Sequence, residues 1–124
     1  MPNKILIVDD EPNIVVPIQF LMEQNGFTVA VAYNGKDAMD SVAAFGPDLI
    51  ILDLMLPGMD GFEVCQRIRE KRDWSHIKII IVTAMGREAN MTKGMALGAD
   101  AYIIKPFSNA DMVFKVKSLL ADRS

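Results

Sequence analysis

Short, continuously apolar runs alternate along this chain with longer stretches whose apolar residues recur three and four positions apart. Ile5-Leu6-Ile7-Val8 is a run of strand length that ends on Asp9 and Asp10. Ile14, Ile18, Leu21 and Met22 make a helical stripe over residues 13–25, closed by Gly26. A short strand over 28–32 stops at the Asn34-Gly35 turn. Residues 36–45 then set Ala38, Val42 and Phe45 on one helix face before Gly46-Pro47. Residues 48–53 have an apolar interior between acidic ends, and beyond Pro57-Gly58 a helix begins at Asp60 with Phe62, Cys65 and Ile68 facing inward. β-Branched residues fill a strand over 78–83. A weaker helix over 88–97 ends at Gly98, and a strand over 102–105 is stopped by Pro106. A last helix over 109–121 carries Met112, Val113, Val116, Leu119 and Leu120.

Five strand–helix units whose strands are apolar throughout predict an α/β fold, a parallel sheet covered by helices on both faces. Pro17 falls inside the first helix and removes one hydrogen bond to the Asn13 carbonyl; a bend explains it without a function. No repeat, linker or low-complexity tract interrupts the pattern, and 124 residues are one domain, 1–124.

Composition removes several classes of function. The chain has one cysteine, Cys65, and one histidine, His76, too few for an internal disulfide or an ordinary Cys/His zinc site. His76 lies in a polar stretch with no third group to place it, so a catalytic triad is excluded as well. Net charge is −3, the wrong sign for binding nucleic acid through its phosphates. Arg67, Arg69, Lys71 and Arg72 cluster, but Glu70 and Asp73 are mixed in, and a solvated helix end suited to the macrodipole accounts for them. No apolar run is long enough to span a membrane, and the first run enters Asp9-Asp10-Glu11 directly, unlike a secretory signal. The expected compartment is the cytoplasm.

In open parallel sheets, ligands bind beyond the carboxyl ends of the strands. The residues there are Asp9 with Asp10, Asn34-Gly35, Asp53, Thr83 and Lys105. The first strand runs into Asp-Asp-Glu-Pro instead of a glycine-rich phosphate loop, so a nucleotide would meet carboxylates where it needs backbone amides. Carboxylates brought together repel, by roughly 1 kcal/mol per pair at ~4 Å in water and about 4 at an effective dielectric of 20. Such a cluster persists when a cation sits in it or when one carboxyl holds its proton. Oxygen-only ligands select a hard ion such as Mg²⁺. An acceptor carboxylate, a divalent ion, a lysine and a hydroxyl donor are what phosphoryl transfer to an aspartate requires. Singly, each piece has an ordinary reading: an acidic pair as helix N-cap, Thr83 as a strand residue, Lys105-Pro106 as a surface turn. Gathered at equivalent strand ends of one small chain, they point to a site.

Ile-Leu-Ile-Val-Asp-Asp-Glu-Pro (5–12), the stretch from Pro47 through Asp53 to Gly61, Ile-Val-Thr-Ala (81–84) and Gly-Ala-Asp-Ala-Tyr-Ile-Ile-Lys-Pro-Phe (98–107) together resemble the receiver domain of two-component response regulators over essentially the whole chain. The resemblance implies a flavodoxin-like sheet of order 2-1-3-4-5 and a phosphorelay signalling role that is not enzymatic in the ordinary sense. Asp53 would accept a phosphoryl group from a phosphohistidine on a histidine kinase or phosphotransfer protein. Asp10, Asp53 and the backbone carbonyl of Met55 would bind Mg²⁺ directly, and Asp9 would act through water. Lys105 would pair with Asp53 and then with the phosphoryl group. Thr83 would shift toward that group and let Tyr102 turn inward. The Lys105–Pro106 bond would be cis, and the output would be a population shift on the face of the fourth helix, fifth strand and fifth helix.

Asp100, Asp111 and Lys115 fit the charged homodimer that many receivers form on that face, whereas Met91, Leu97 and Ala101 stand where charged partners are expected. Either those apolar residues mark a different partner surface or they are scattered surface hydrophobes. Met55 and Met85 should flank the phosphoryl group and shield it from water. Two other functions remain open. An aspartate-nucleophile phosphohydrolase of the haloacid dehalogenase type would need Asp-x-Asp after the first strand and a cap. A DNA-binding regulator would need an effector domain outside this chain, since nothing here reads DNA.

Overall fold

The computed structural model describes residues 3–84 and 88–121. Five strands, β1 (Lys4–Val8), β2 (Thr28–Ala32), β3 (Leu49–Asp53), β4 (Lys78–Thr83) and β5 (Ala101–Ile104), form one sheet in the order β2-β1-β3-β4-β5. Every neighbouring pair is parallel. The helices are α1 (Pro12–Gln24), α2 (Gly35–Phe45), α3 (Gly61–Arg69), α4 (Glu88–Ala96) and α5 (Asn109–Ala121). This is the α/β, doubly wound arrangement expected, and the strand order implied by the resemblance is the one observed.

Unbroken apolar strands exist here because each strand feeds two cores. Leu6, Val8, Ile50, Leu52, Ile79 and Ile81 point to one side, where Ala38 and Val42 of α2 and Val64, Cys65 and Ile68 of α3 cover them. Ile5, Ile7, Leu49, Ile51, Ile80 and Val82 point to the other, under Val15, Ile18 and Met22 of α1 and Met112 and Val116 of α5. Alternation of period two thus places apolar side chains on both faces, as a sheet covered on both sides requires.

Differences from the expected elements are confined to their ends. β3 starts at Leu49, leaving the Asp48 carboxylate to accept the Lys4 N–H at 2.8 Å. β5 covers Ala101–Ile104, one residue earlier than expected, and α4 stops at Ala96. A short 3-10 turn, Arg72–Trp74, connects α3 to β4 and carries no apolar period that would announce it. Asp60 caps α3, its Oδ1 accepting the Glu63 N–H at 2.9 Å. Pro17 does lie within α1, on its exposed side. Arg69 departs from the expected solvated cluster. Its guanidinium is mostly buried against the turn before β5, while Arg67 stays outside on Glu63.

Candidate functional site

The strand ends meet at one edge of the sheet, and the backbone there shapes the site. The Asp9 N–H donates to the Ala32 carbonyl at 3.1 Å, the last tie between the first two strands. Its carboxylate then accepts the Glu11 N–H at 2.9 Å, which bends the chain toward α1. Glu11 occupies the N-cap position of α1 without a capping bond from its side chain, and Pro12 opens the helix. The ordinary reading of the acidic pair as a helix cap therefore fails. Asp9, Asp10, Glu11 and Asp53 each present a carboxylate oxygen within 4.8 Å of the others. Sequence reasoning finds three of these four and misses Glu11, whose one signal is its place between Asp10 and the helix-opening proline.

Asp53 is the last residue of β3 and is almost wholly buried, as is Asp9. The Met55 N–H donates to Asp53 Oδ1 at 3.2 Å. Lys105 follows β5, its N–H donating to the Thr83 carbonyl at 2.8 Å, and the Lys105–Pro106 bond that follows it is cis. That anchor brings Lys105 Nζ to 3.2 Å from Asp9 Oδ2 and 3.5 Å from Asp53 Oδ2. The ammonium therefore bridges the Asp9 and Asp53 carboxylates.

Charge and burial work against each other in this pocket. Burial pushes the Asp53 carboxyl above its ordinary 3.8; Asp9 adds to the rise, and the Met55 N–H and Lys105 offset only part of it. For Lys105 burial acts downward, but Asp53 and Asp9, with help from Glu11, prevail and hold the ammonium above 10.5. Burial is thus the main cause of the Asp53 rise and the Asp9 charge a smaller one, while four carboxylates gather around one ammonium. The donors are all carboxylate oxygens, which suits a hard divalent cation with a few remaining waters. The residues present thus fit Mg²⁺.

Thr83 ends β4 and is fully buried. Tyr102 lies on the adjacent strand opposite Ile81, so it shares a sheet face with Thr83 two positions away. Its ring packs half-buried on the core beneath α2 and α3, and burial raises the phenol's pKa. Met55 is 63% exposed. Met85, expected to flank the same pocket, lies outside the described residues. An apolar groove lined by Ile14, Pro17, Ile18, Pro106 and Phe107 opens beside Lys105.

The response regulator receiver domain model matches residues 5–117. The chain belongs to this family. It is 30% identical to the BeF3-activated N-terminal receiver domain of RstA from Klebsiella pneumoniae, covering 95% of this chain and 98% of that one with a TM-score of 0.89. A CheY-like receiver domain protein of Methanospirillum hungatei is 29% identical, over 99% and 97% of the two chains, with a TM-score of 0.92. The receiver domain of a signal transduction histidine kinase from Syntrophus aciditrophicus is 30% identical, over 97% and 91%, with a TM-score of 0.89. Receiver domains are signalling modules that work with histidine kinases and effectors, and this receiver carries an acidic pocket at its strand ends. Among the described residues, no helix is long and apolar enough to cross a membrane.

On the face of α4, β5 and α5, Asp111 is exposed and Lys115 half-buried. Asp100 is not free to join them, because its carboxylate accepts from Arg69 at 2.9 Å and from the Ile79 N–H at 2.8 Å. Leu97 and Ala101, which replace expected charges, are partly absorbed into the two cores.

Proposed function

We propose that this receiver, a single domain over 1–124, takes a phosphoryl group on Asp53 from the phosphohistidine of a histidine kinase or phosphotransfer protein. A carboxylate oxygen of Asp53 forms the new P–O bond while the donor's P–N bond breaks, and the imidazole leaves with the bonding pair. Asp10, Asp53 and the Met55 carbonyl would hold Mg²⁺, with Asp9 acting through water; the ion would neutralise charge on the transferred oxygens. Lys105 supplies a second, fixed positive charge, and Thr83 a hydroxyl for a phosphoryl oxygen. Once the acceptor carboxylate has become an acyl phosphate, Lys105 loses half of its carboxylate bridge and can follow the phosphoryl group. Movement of Thr83 opens room on the face it shares with Tyr102, which shifts the population of the α4–β5–α5 surface presented to an effector or to a second copy. The donor protein would approach along the groove beside Lys105.

One observation carries this reading: the Lys105 ammonium bridges two buried aspartates inside an oxygen-only cluster. The test is intact mass after incubation with Mg²⁺ and acetyl phosphate. One added phosphoryl group, dependent on Mg²⁺ and absent from Asp53→Asn, is expected. An adduct of equal yield in Asp53→Asn would overturn the assignment.

A further inference from the structure

Asn34-Gly35 stands at the end of β2, level with the site residues, yet contributes no group to the site. Its place is set by local chemistry: Asn34 Oδ1 accepts the Asp37 N–H at 2.8 Å and so starts α2 at Gly35. Gly35 is buried, and what lies against it is the loop after Asp53. A Cβ on Gly35 would come within 2.6 Å of Met59 Cβ and 2.8 Å of the Met59 carbonyl oxygen. A clash with a backbone oxygen cannot be relieved by turning a side chain. Any other residue at 35 must displace Met59 or the start of α2.

The same loop is held equally closely at its other end. A Cβ on Gly61 would overlap the Asp53 carbonyl oxygen and approach Leu54 Cα to 2.8 Å. The Gly61 N–H closes the segment by donating to the Leu54 carbonyl at 3.0 Å. Between these clamps, residues 55–60 have little slack: Pro57 fixes one torsion, and Gly58 is in the left-handed region at φ 77. A displacement of Met59 must be taken up within these few residues, and Met55 is one of them.

We propose that Gly35 is a positioning residue for the acidic site. By admitting Met59 at backbone distance, it fixes the loop that carries Met55, and with it the Met55 N–H on Asp53 and the Met55 carbonyl assigned to Mg²⁺. The inference rests on the proposed Mg²⁺ reading of the site. It adds a residue from α2, an element that supplies no ligand.

Titration of Mg²⁺ alone into the 124-residue chain by calorimetry tests it, with wild type, Gly35→Ala, Met59→Gly and Gly46→Ala compared. Gly46 is the glycine that caps the C-terminal end of α2, in the left-handed region at φ 67, but a Cβ there meets nothing within 4 Å. Gly46→Ala therefore measures a loss of stability without a moved loop. Gly35→Ala is expected to weaken Mg²⁺ binding about tenfold, the low end of what losing support behind a metal ligand costs. Met59→Gly frees the loop from the other side and is expected to shift affinity in the same direction without a clash that could prevent folding. Gly46→Ala should bind as wild type. If Gly35→Ala folds and both loop variants bind Mg²⁺ as tightly as wild type, the proposal is overturned. If Gly35→Ala does not fold, Met59→Gly alone decides, and unchanged affinity there overturns it. A wild-type chain that takes up no Mg²⁺ would overturn the reading of the site itself, a different result from equal affinities.

Discussion

Arg69 and Asp100 meet at 2.9 Å at the edge of the sheet opposite the acidic site, joining the end of α3 to the start of β5. Arg69 also donates to the carbonyls of Gly98 at 2.9 Å and Trp74 at 3.4 Å. Gly98 lacks the Cβ that would strike the Arg69 side chain. The Asp100 carboxylate meanwhile satisfies the N–H of the buried Ile79. Asp100→Ala leaves that amide without its acceptor and the guanidinium without its carboxylate partner, and should cost about 2 kcal/mol. The urea midpoint is expected to fall with the slope unchanged, while Mg²⁺ binding at the far edge stays as in wild type. A midpoint equal to wild type would show the pair to be incidental.

Asp53→Asn should stabilise the metal-free protein at neutral pH. Burial, then Asp9, raises the folded pKa of Asp53 above its unfolded value, so its ionisation works against folding. The cost is absent below about 3.8, where both states are protonated. It grows as pH rises through the folded pKa. A neutral amide removes it, a gain on the order of 1 kcal/mol, the size of one like-charge repulsion. Thermal midpoints should therefore separate at neutral pH and converge in acid, and Mg²⁺ should raise the wild-type midpoint but not that of the variant. Identical midpoints at every pH would refute the charge argument.

Lys105 has the opposite sign. Its folded pKa lies above 10.5, so its contribution to stability is complete at neutral pH and declines as pH rises through the folded value. Lys105→Met leaves Asp9 and Asp53 facing each other and should lower stability by about 1 to 3 kcal/mol without metal. Its stability should also fall less steeply than that of wild type above pH 10.5. Parallel alkaline profiles for the two proteins would sink this prediction.

Cys65 offers a probe of opening. It is fully buried on α3, its thiol donates to the Leu97 carbonyl at 3.5 Å, and burial pushes its pKa up to about 11. An aromatic disulfide reagent should leave the folded protein unlabelled on the mixing timescale and react once per chain in urea. Its slow native rate should rise in Asp100→Ala, since that variant loosens the turn beside Leu97. Prompt native labelling would mean that α3 opens freely.

Pro17 is expected to be replaceable with profit. It interrupts α1 on an exposed side, where no buried contact offsets the lost hydrogen bond to the Asn13 carbonyl. Pro17→Ala should raise stability by about 1 kcal/mol, less than the ~3 kcal/mol of a mid-helix proline because the position is near the helix start. A lower urea midpoint for Pro17→Ala would show that the proline ring itself is needed, for instance to line the groove beside Lys105.

Sequence alone determined the elements, because apolar period and helix punctuation are local. The runs at Ile5–Val8 and Lys78–Thr83 could only be buried strands, and Asn34, Asp60 and Gly46 end or begin helices through groups within a few residues. It also brought Asp9, Asp10, Asp53, Thr83 and Lys105 to one edge, since parallel connections point all strand ends the same way. What the local pattern could not carry was partnership across the fold. Glu11 enters the acidic cluster because Asp9 spends its own carboxylate on the Glu11 N–H and turns the chain. Lys105 bridges Asp9 and Asp53 because the segment after β5 meets the ends of β1 and β3. Arg69 and Asp100 each read as surface charges, and only the meeting of α3 with the start of β5 makes them a half-buried pair. Gly35 and Met59 are 24 positions apart (59 − 35), and their contact exists because α2 and the loop after β3 share one side of the sheet. Period and propensity record each residue's own neighbours along the chain. Distances of three ångströms between distant residues are fixed by packing, and tertiary structure alone decided them.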